Sequence, residues 1–183
     1  PPFRAPNRPP IMAGVVRLLL DDGCRLRELD LRANELDAAC GNELAEALRT
    51  NRTLRSLRVG DNKLATGGHA ICEALRTNFS LRYLAIDRNG LTSEAGEMLG
   101  RSLRQGNQTL QELDISHNEL GERGGTNVAM GLIINSSLIK LDIGSNQLGH
   151  KVEEDLRSAW QWQVVGKAPP NGAKPVRPVG LHI

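Results

Sequence analysis

Histidines, cysteines and clustered carboxylates are the side chains in this sequence that could carry out chemistry. Hydrolytic, metal-dependent and nucleotide-dependent reactions need such groups at defined spacings, and none of those motifs occurs here. The histidines are scattered along the chain, at His69, His117, His150 and His182. The cysteines form no C-x-x-C pair, and they are Cys24, Cys40 and Cys72. We therefore predict no catalytic centre, no metal and no cofactor, and the odd cysteine number favours a reducing compartment.

Three motif-like features have ordinary structural explanations. The glycine-rich stretch at residues 121–125 lacks the lysine and hydroxyl residue that hold phosphate, so we predict a structural loop. The acidic residues 153–155 fall near a predicted helix start, where negative charge favours the helix dipole. Four N-x-S/T sequons begin at Asn51, Asn78, Asn107 and Asn135. Because they recur at one repeat position without a secretory signal, we expect turn residues rather than glycosylation sites.

Composition limits the class of protein. The 183 residues are 39% hydrophobic, 24% charged and only 3% aromatic, which indicates one domain or array with an aliphatic core. The net charge of +2 is small and its signs are interspersed, which argues against a nucleic-acid partner. The longest apolar run, residues 15–20, is interrupted by Arg17 and too short for a membrane span. We predict that it is a core helix.

One eleven-residue pattern, L-x-x-L-x-L-x-x-N-x-L, occurs five times. The first copy begins at Leu26, and the spacings to the following copies are 28, 27, 29 and 28 residues. Their first residues are Leu54, Leu81, Leu110 and Leu138. The period-2 alternation in each copy predicts a short parallel strand with leucines facing inward. The asparagines are predicted to form a buried ladder that satisfies backbone groups of stacked repeats: Asn34, Asn62, Asn89, Asn118 and Asn146.

The second half of each repeat predicts a helix. Apolar residues four apart provide its inward face in Leu44/Leu48, Ile71/Leu75, Leu99/Leu103, Val128/Leu132 and Leu156/Trp160. The asparagines and glycines that follow each helix are interpreted as left-handed C-cap residues. Repeat two is one residue short before Ile71, and repeat three is one residue long before Leu110. Both changes fall in connections, as expected if the strands stack in register.

Proline positions define the domain borders. All nine prolines lie in residues 1–10 or 169–178, outside the repeats. We predict an N-terminal extended segment at 1–10, the array at 11–162, and a basic Pro/Gly-rich tail at 163–183. Residues 11–25 would form a partial unit whose helix presents Val16 and Leu20 inward. Trp160 and Trp162 would close the last repeat.

The frame, its period and the helix in each unit resemble the ribonuclease-inhibitor-like class of leucine-rich repeats. The resemblance covers about residues 11–162. It implies an α/β solenoid, a right-handed segment of a horseshoe with parallel strands on the concave face and helices on the convex face. Relatives include ribonuclease inhibitor, the Ran GTPase-activating protein, tropomodulin, NOD-like receptor arrays and ciliary dynein regulatory subunits. Most members of the class bind proteins.

Strand alternation predicts which side chains face the concave surface. Tyr83 is the single aromatic near its centre, with Arg58, Arg88, Glu112 and Asp114 around it, and we expect a binding hot spot there. The remaining candidates for partner contact are Lys140, Asp142, Glu28, Asp30 and Arg32. The alternative is that these residues are merely solvated polar side chains on an unused face.

The sequence thus predicts a non-catalytic scaffold or adaptor that binds a protein partner through the concave face and tail, without nucleic acid or membrane. A tail of this composition that is held against the solenoid or a neighbouring chain would favour a subunit of a larger complex. A cytoplasmic location follows from the cysteines, and a cytoskeletal or ciliary assembly follows only from family analogy. Two alternatives remain: a Ran-type GTPase activator, which a basic tail argues against, and the sensor array of a NOD-like receptor.

Overall fold

Short helices and shorter strands alternate along the chain. The computed structural model describes residues 10–165 and 180–183, with side chains from residue 12 to 161 and again from 180. The elements are α1 (Pro10–Leu20), β1 (Glu28–Asp30), α2 (Ala38–Thr50), β2 (Ser56–Arg58), α3 (Thr66–Ala74), β3 (Tyr83–Ala85), α4 (Ser93–Arg104), β4 (Glu112–Asp114), α5 (Gly121–Ile134), β5 (Lys140–Asp142), α6 (His150–Val165) and β6 (Leu181–His182).

The strands form one open parallel sheet whose order follows the chain, β1-β2-β3-β4-β5-β6. The central leucine of each repeat pairs in register with that of the next, from Leu29 through to Leu141. Parallel neighbours require a crossover between them, and the helices supply it on one side of the sheet. The predicted α/β solenoid is therefore confirmed, with the two single-residue length changes absorbed outside the paired strands.

Aliphatic side chains between sheet and helices form one continuous core. The strand leucines Leu57 and Leu84 are fully buried, as are the helix residues Leu44, Leu48 and Leu99. Burying such a side chain contributes about 1.5–3 kcal/mol relative to leaving it exposed. Trp160 is also buried, so α6 covers the last repeat with its indole. No helix among the described residues is both long and apolar enough to cross a bilayer.

The repeat asparagines stand where the strands end and bridge neighbouring coils. The Asn118 side chain donates from Nδ2 to the carbonyl of Ile86 in the preceding repeat, and its Oδ1 accepts from the backbone N–H groups of Asn89 and Leu91. Asn62, Asn89 and Asn146 are buried in the same way. Asn34 differs from the prediction because it is exposed. No strand precedes β1 in the described residues, so its Nδ2 reaches only the Arg32 carbonyl.

A second asparagine ladder, which the sequence analysis missed, lies where the strands begin. The Asn78 Nδ2 donates to the carbonyls of Leu48 and Asn51, and its Oδ1 accepts from the N–H groups of Ser80 and Leu81. Its members are Asn51, Asn78, Asn107 and Asn135, all buried. Asn51 and Asn135 are the C-cap residues of α2 and α5, as predicted, but the predicted left-handed conformation is wrong, because their φ values are −62° and −67°. These side chains bind backbone rather than face solvent, which supports the non-glycosylated interpretation of the four sequons.

Helix α1 presents a different face from the one predicted. Met12 and Leu19 are buried and Val16 is half-buried, whereas Leu20 is 52% exposed. The Asn51 amide donates to the Leu19 carbonyl, as Asn78 does to Leu48, so Leu19 is the true equivalent of the later helix residues. Leu19 lies seven residues before Leu26, the first leucine of the next repeat, whereas Leu48 lies six residues before Leu54. The inward-facing helix residue is therefore Leu19 rather than Leu20.

The shortened second repeat is accommodated at one residue. Ala65, which precedes α3, has φ 42° and ψ −120°, a conformation that L-residues with a side chain rarely adopt. Its N–H still donates to the Asn89 carbonyl and its own carbonyl accepts from Gly68. The repeat thus accommodates the missing residue through a strained backbone at Ala65, and the hydrogen bonds on either side are kept. The 121–125 stretch, predicted as a loop, instead forms the start of α5.

The end of the tail returns to the sheet as an unpredicted strand. In β6, Leu181 pairs with Leu141, and the Leu141 and Ile143 N–H groups donate to the carbonyls of Gly180 and His182. Leu181 and Ile183 pack on the core and repeat the L-x-I spacing of 141–143. Residues 1–9 of the predicted extended segment and most of the predicted tail fall outside the described residues, as does the side chain of Trp162, whereas Pro10 begins α1.

Candidate partner-binding face

The candidate contact residues lie in two rows across the concave side of the sheet. Register places Glu28, Ser56, Tyr83, Glu112 and Lys140 side by side in the first row. The second row contains Asp30, Arg58, Ala85, Asp114 and Asp142 in the same order. Strands in a sheet lie about 4.8 Å apart, so neighbours in a row are within reach of one ligand group. Strand alternation therefore locates this face, although Ala85 is buried within it.

Tyr83 does not stand alone at the centre of the face. The Arg58 guanidinium lies over its ring, 4.7 Å from the centroid, and donates to the Ser56 hydroxyl across 3.2 Å. A cation over an aromatic face gains about 0.5–1 kcal/mol at an exposed site. The stacking holds the half-buried ring in one orientation. Of the residues predicted to surround Tyr83, Arg58 is the one that contacts it from strand β2.

On its other side Tyr83 borders a small pocket of about 70 Å³. Glu112, Asp114, Lys140 and Asp142 line it together with the ring. Lys140 Nζ lies 3.9 Å from the Glu112 carboxylate, so this ion pair is loose and half-exposed. Such pairs contribute little to stability, which leaves both groups available for exchange with a partner's charges. The pocket combines an aromatic wall with carboxylates and one ammonium group.

The row-two carboxylates also shape the turns that leave the strands. Asp114 Oδ1 accepts from the Ser116 N–H at 3.1 Å and from the Ser116 hydroxyl at 2.7 Å. Asp142 accepts from the Gly144 N–H at 3.2 Å. Each aspartate thus fixes the backbone two residues ahead, as Asx turns do. One oxygen of each carboxylate is committed to the fold, which keeps the negative charge in a defined place on the face.

Three of the other candidates form ion pairs of their own, although Arg32 and Asp30 lie near enough to interact electrostatically with Tyr83 and Arg58 respectively. Asp30 and Arg32 form their own exposed ion pair at 2.7 Å on the β1 edge, and these hydrogen bonds hold the pKa of the Asp30 carboxyl below its usual range. Glu28 lies exposed on the same strand. Arg88 sits in the turn after β3 with φ 50° and pairs with Asp87 at 2.8 Å. Arg88 thus has an acidic partner of its own, and its contact with Tyr83 stays a prediction.

Two groups that could react, Cys72 and His69, lie on α3 away from this face, whereas His182 stands next to Asp142 at the end of the second row. Cys72 is fully buried in α3, and burial raises the pKa of its thiol to about 12, which makes it a core residue rather than a nucleophile. Burial likewise lowers the pKa of His69, whose Nε2 accepts from the Thr92 N–H at 3.2 Å. Within residues 10–165 and 180–183, no three histidine, cysteine or carboxylate side chains converge to hold a metal ion.

Comparison with known proteins defines the class first. A family model described as Leucine Rich repeat matches residues 50–68, 77–100 and 106–129. Together with the in-register strands and the helix in each unit, this match shows that the chain contains leucine-rich repeats and has the fold of an α/β leucine-rich-repeat solenoid. A search of curated protein sequences gives no match to the chain.

Two solved structures then show which leucine-rich-repeat domains share this fold. One is leiomodin-1 actin-binding site 2, with a TM-score of 0.74 and 18% identity over 87% of this chain and 92% of that one. The other is the tropomodulin C-terminal domain from a Caenorhabditis elegans structural genomics study, with a TM-score of 0.70 and 19% identity. That alignment covers 83% of this chain and 92% of the tropomodulin chain. At these identities the likeness establishes the fold.

Proposed function

We propose that this protein is a non-catalytic scaffold whose concave face binds a protein partner of the cytoskeleton, in the cytoplasm. The observation that carries the proposal is the Tyr83 cluster: an aromatic ring held by Arg58 beside a pocket of mixed charge on a curved sheet. Aromatic and arginine anchors surrounded by polar groups are typical of interface hot spots. The face offers shape and charge for recognition and no arrangement of groups for bond making.

Actin is the partner we propose to test first. Support comes from the leiomodin-1 domain, which shares the fold along almost all of both chains and is described as an actin-binding site. This support concerns the fold and not individual contacts, because only 18% of residues are identical. The concave cluster of this chain would have to provide its own contacts, and Tyr83 is their expected centre.

The test is a binding measurement with purified monomeric and filamentous actin. We expect the fluorescently labelled chain to bind one of the two forms, and Tyr83→Ala to weaken that binding about tenfold, as loss of a hot-spot aromatic does. Met130→Ala is the matched control, because Met130 is 48% exposed on α5, away from the sheet. Absence of binding to both forms would remove actin as the partner. Equal affinities of Tyr83→Ala and Met130→Ala would show that Tyr83 on the concave face is not part of the actin-binding surface.

A further inference from the structure

The residues that immediately precede the strands form a third surface, which we call the strand-start edge. Its core is the row Arg27, Arg55, Arg82, Gln111 and Ile139, one residue before β1 to β5 respectively. Backbone hydrogen bonds of 2.7–2.8 Å run from each N–H of this row to the carbonyl of the previous member. The five side chains are therefore neighbours on adjacent coils, about 4.8 Å apart at the backbone.

Positive charge accumulates on the central part of this edge, before β2, β3 and β4, whereas the connection before β1 contains Asp21 and Asp22. The connections at residues 50–55, 75–82 and 103–111 contain no aspartate or glutamate. The arginines on or beside the edge are Arg27, Arg52, Arg55, Arg76, Arg82 and Arg104. In the part of the chain that the structure describes, none of the six forms an ion pair, whereas Arg32, Arg49, Arg88 and Arg123 each do. The edge is thus a cationic surface whose charges are free for a ligand.

A groove lies at the centre of this surface. It is next to the starts of the strands, whereas the first asparagine ladder is at their ends. Its volume is about 180 Å³, and its lining includes Arg55, Arg82, Phe79 and Gln111. Arg55 Nη1 donates to the Ser80 carbonyl at 2.9 Å, which positions its guanidinium along the groove. Phe79 is 54% exposed, so an uncovered aromatic ring stands next to two unpaired guanidinium groups.

We propose that the strand-start edge binds an acidic peptide segment that also carries an apolar residue. Carboxylates of the segment would pair with Arg55 and Arg82, since guanidinium groups form strong charge-assisted hydrogen bonds with carboxylates. The apolar residue would cover Phe79 or Ile139, which are 54% and 58% exposed. The side chains along the row change from arginine through glutamine to isoleucine, and this gradient matches a segment whose acidic part is followed by an apolar part.

The same gradient favours a peptide over a nucleic acid. A phosphate backbone carries its charges uniformly and is matched by cations along the whole contact. Here the row becomes neutral at Gln111 and apolar at Ile139 after three arginines. The proposal concerns a different surface from the Tyr83 cluster and does not depend on it.

The experiment measures binding of a labelled peptide of four glutamates followed by two leucines, by fluorescence anisotropy at low salt. We expect saturable binding that weakens as salt rises, because the contacts are exposed ion pairs. The variant Arg55→Gln/Arg82→Gln should lose about tenfold or more in affinity. Arg82→Gln alone should also weaken binding. The side chain of Arg82 makes no hydrogen bond within the described residues, and the substitution keeps the backbone hydrogen bonds of Arg82, so we expect the fold to stay intact.

The control variant Lys63→Gln/Lys151→Gln removes the same charge from exposed positions outside the edge and should bind like the unmodified chain. A peptide with glutamine in place of glutamate and a single-stranded RNA of equal charge complete the comparison. Unchanged binding by the arginine variants, an equal loss in the lysine control, or tighter binding of RNA than of the acidic peptide would each overturn the proposal. Tyr83→Ala should leave peptide binding unchanged, which separates this surface from the concave face.

Discussion

Asn118 and Asn34 occupy the same position in two coils, but within the described residues Asn118 bridges to an earlier coil and Asn34 does not. Its Oδ1 accepts from Asn89 N–H at 2.9 Å and Leu91 N–H at 3.1 Å, and its Nδ2 donates to three carbonyls. Asn34 is exposed and donates once, to the Arg32 carbonyl at 2.8 Å. Replacing each asparagine with alanine therefore compares a buried bridge with a surface hydrogen bond at one repeat position.

The expected magnitudes follow from the groups left behind. Asn118→Ala leaves two buried N–H donors without an acceptor, and each such donor costs about 1–3 kcal/mol. The free energy of unfolding should therefore fall by about 4 kcal/mol, a large fraction of the 5–15 kcal/mol typical of a domain. Asn34→Ala removes one solvent-exposed hydrogen bond and should change the free energy of unfolding by less than about 0.5 kcal/mol.

Urea denaturation followed by circular dichroism measures both changes as shifts of the unfolding midpoint at constant slope. The comparison is informative because both variants make the same chemical replacement. If Asn118→Ala lost less than about 1 kcal/mol, or no more than Asn34→Ala, the asparagine side chains would not be satisfying the backbone of adjacent coils. The physical account of the ladder would then be wrong.

Two further predictions concern the backbone and a histidine. Ala65→Gly should raise the free energy of unfolding by about 1 kcal/mol, because glycine adopts φ 42°, ψ −120° without strain. The control Ala39→Gly, on α2, should lower the free energy of unfolding. Equal urea midpoints for the two variants would show that the backbone at Ala65 is not strained. Burial lowers the pKa of His69 in the folded state, so stability should be lost as pH falls from about 6.5 through that lower pKa. In thermal melts His69→Gln should show less of this loss, and an identical pH profile would contradict it.

The sequence predicted the parts of the fold that repeat. Leu29, Leu57 and Leu84 recur at one position because each coil must place an apolar group at the same depth, so period alone indicates their register. Asn62 is predictable for a similar reason, since a buried turn needs a side chain that both donates and accepts. Local pattern suffices wherever the requirement is the same in every coil.

The parts that were missed depend on contacts between distant segments. Asn78 was interpreted as a turn residue because its true acceptors, the carbonyls of Leu48 and Asn51, lie in the previous repeat. Leu20 was placed in the core because one extra residue in a turn changes helix phase without disturbing the leucine pattern. Leu181 was missed because an L-x-I triplet outside the repeat period carries no signal of its own.

The candidate face was predicted as a set of positions but not as a set of pairs. Alternation correctly puts Tyr83, Glu112 and Asp142 on one side of the sheet. It cannot show that Arg58 stacks on Tyr83, or that Arg88 pairs with Asp87, because these depend on side-chain torsions and on a positive φ in the turn. The sequence therefore predicts which side chains lie on the face, but it does not predict which of them pair with one another.

Strand β6 covers the edge of strand β5 that would otherwise be open to another chain. An unpaired strand exposes a row of N–H and C=O groups that can recruit another chain and begin aggregation. Gly180 and His182 occupy those groups on β5, and the outer rim they create is only two residues long. An edge strand of two residues offers an incoming chain few backbone groups for pairing, so we expect residues 180–183 to hinder association of chains along that side of the sheet.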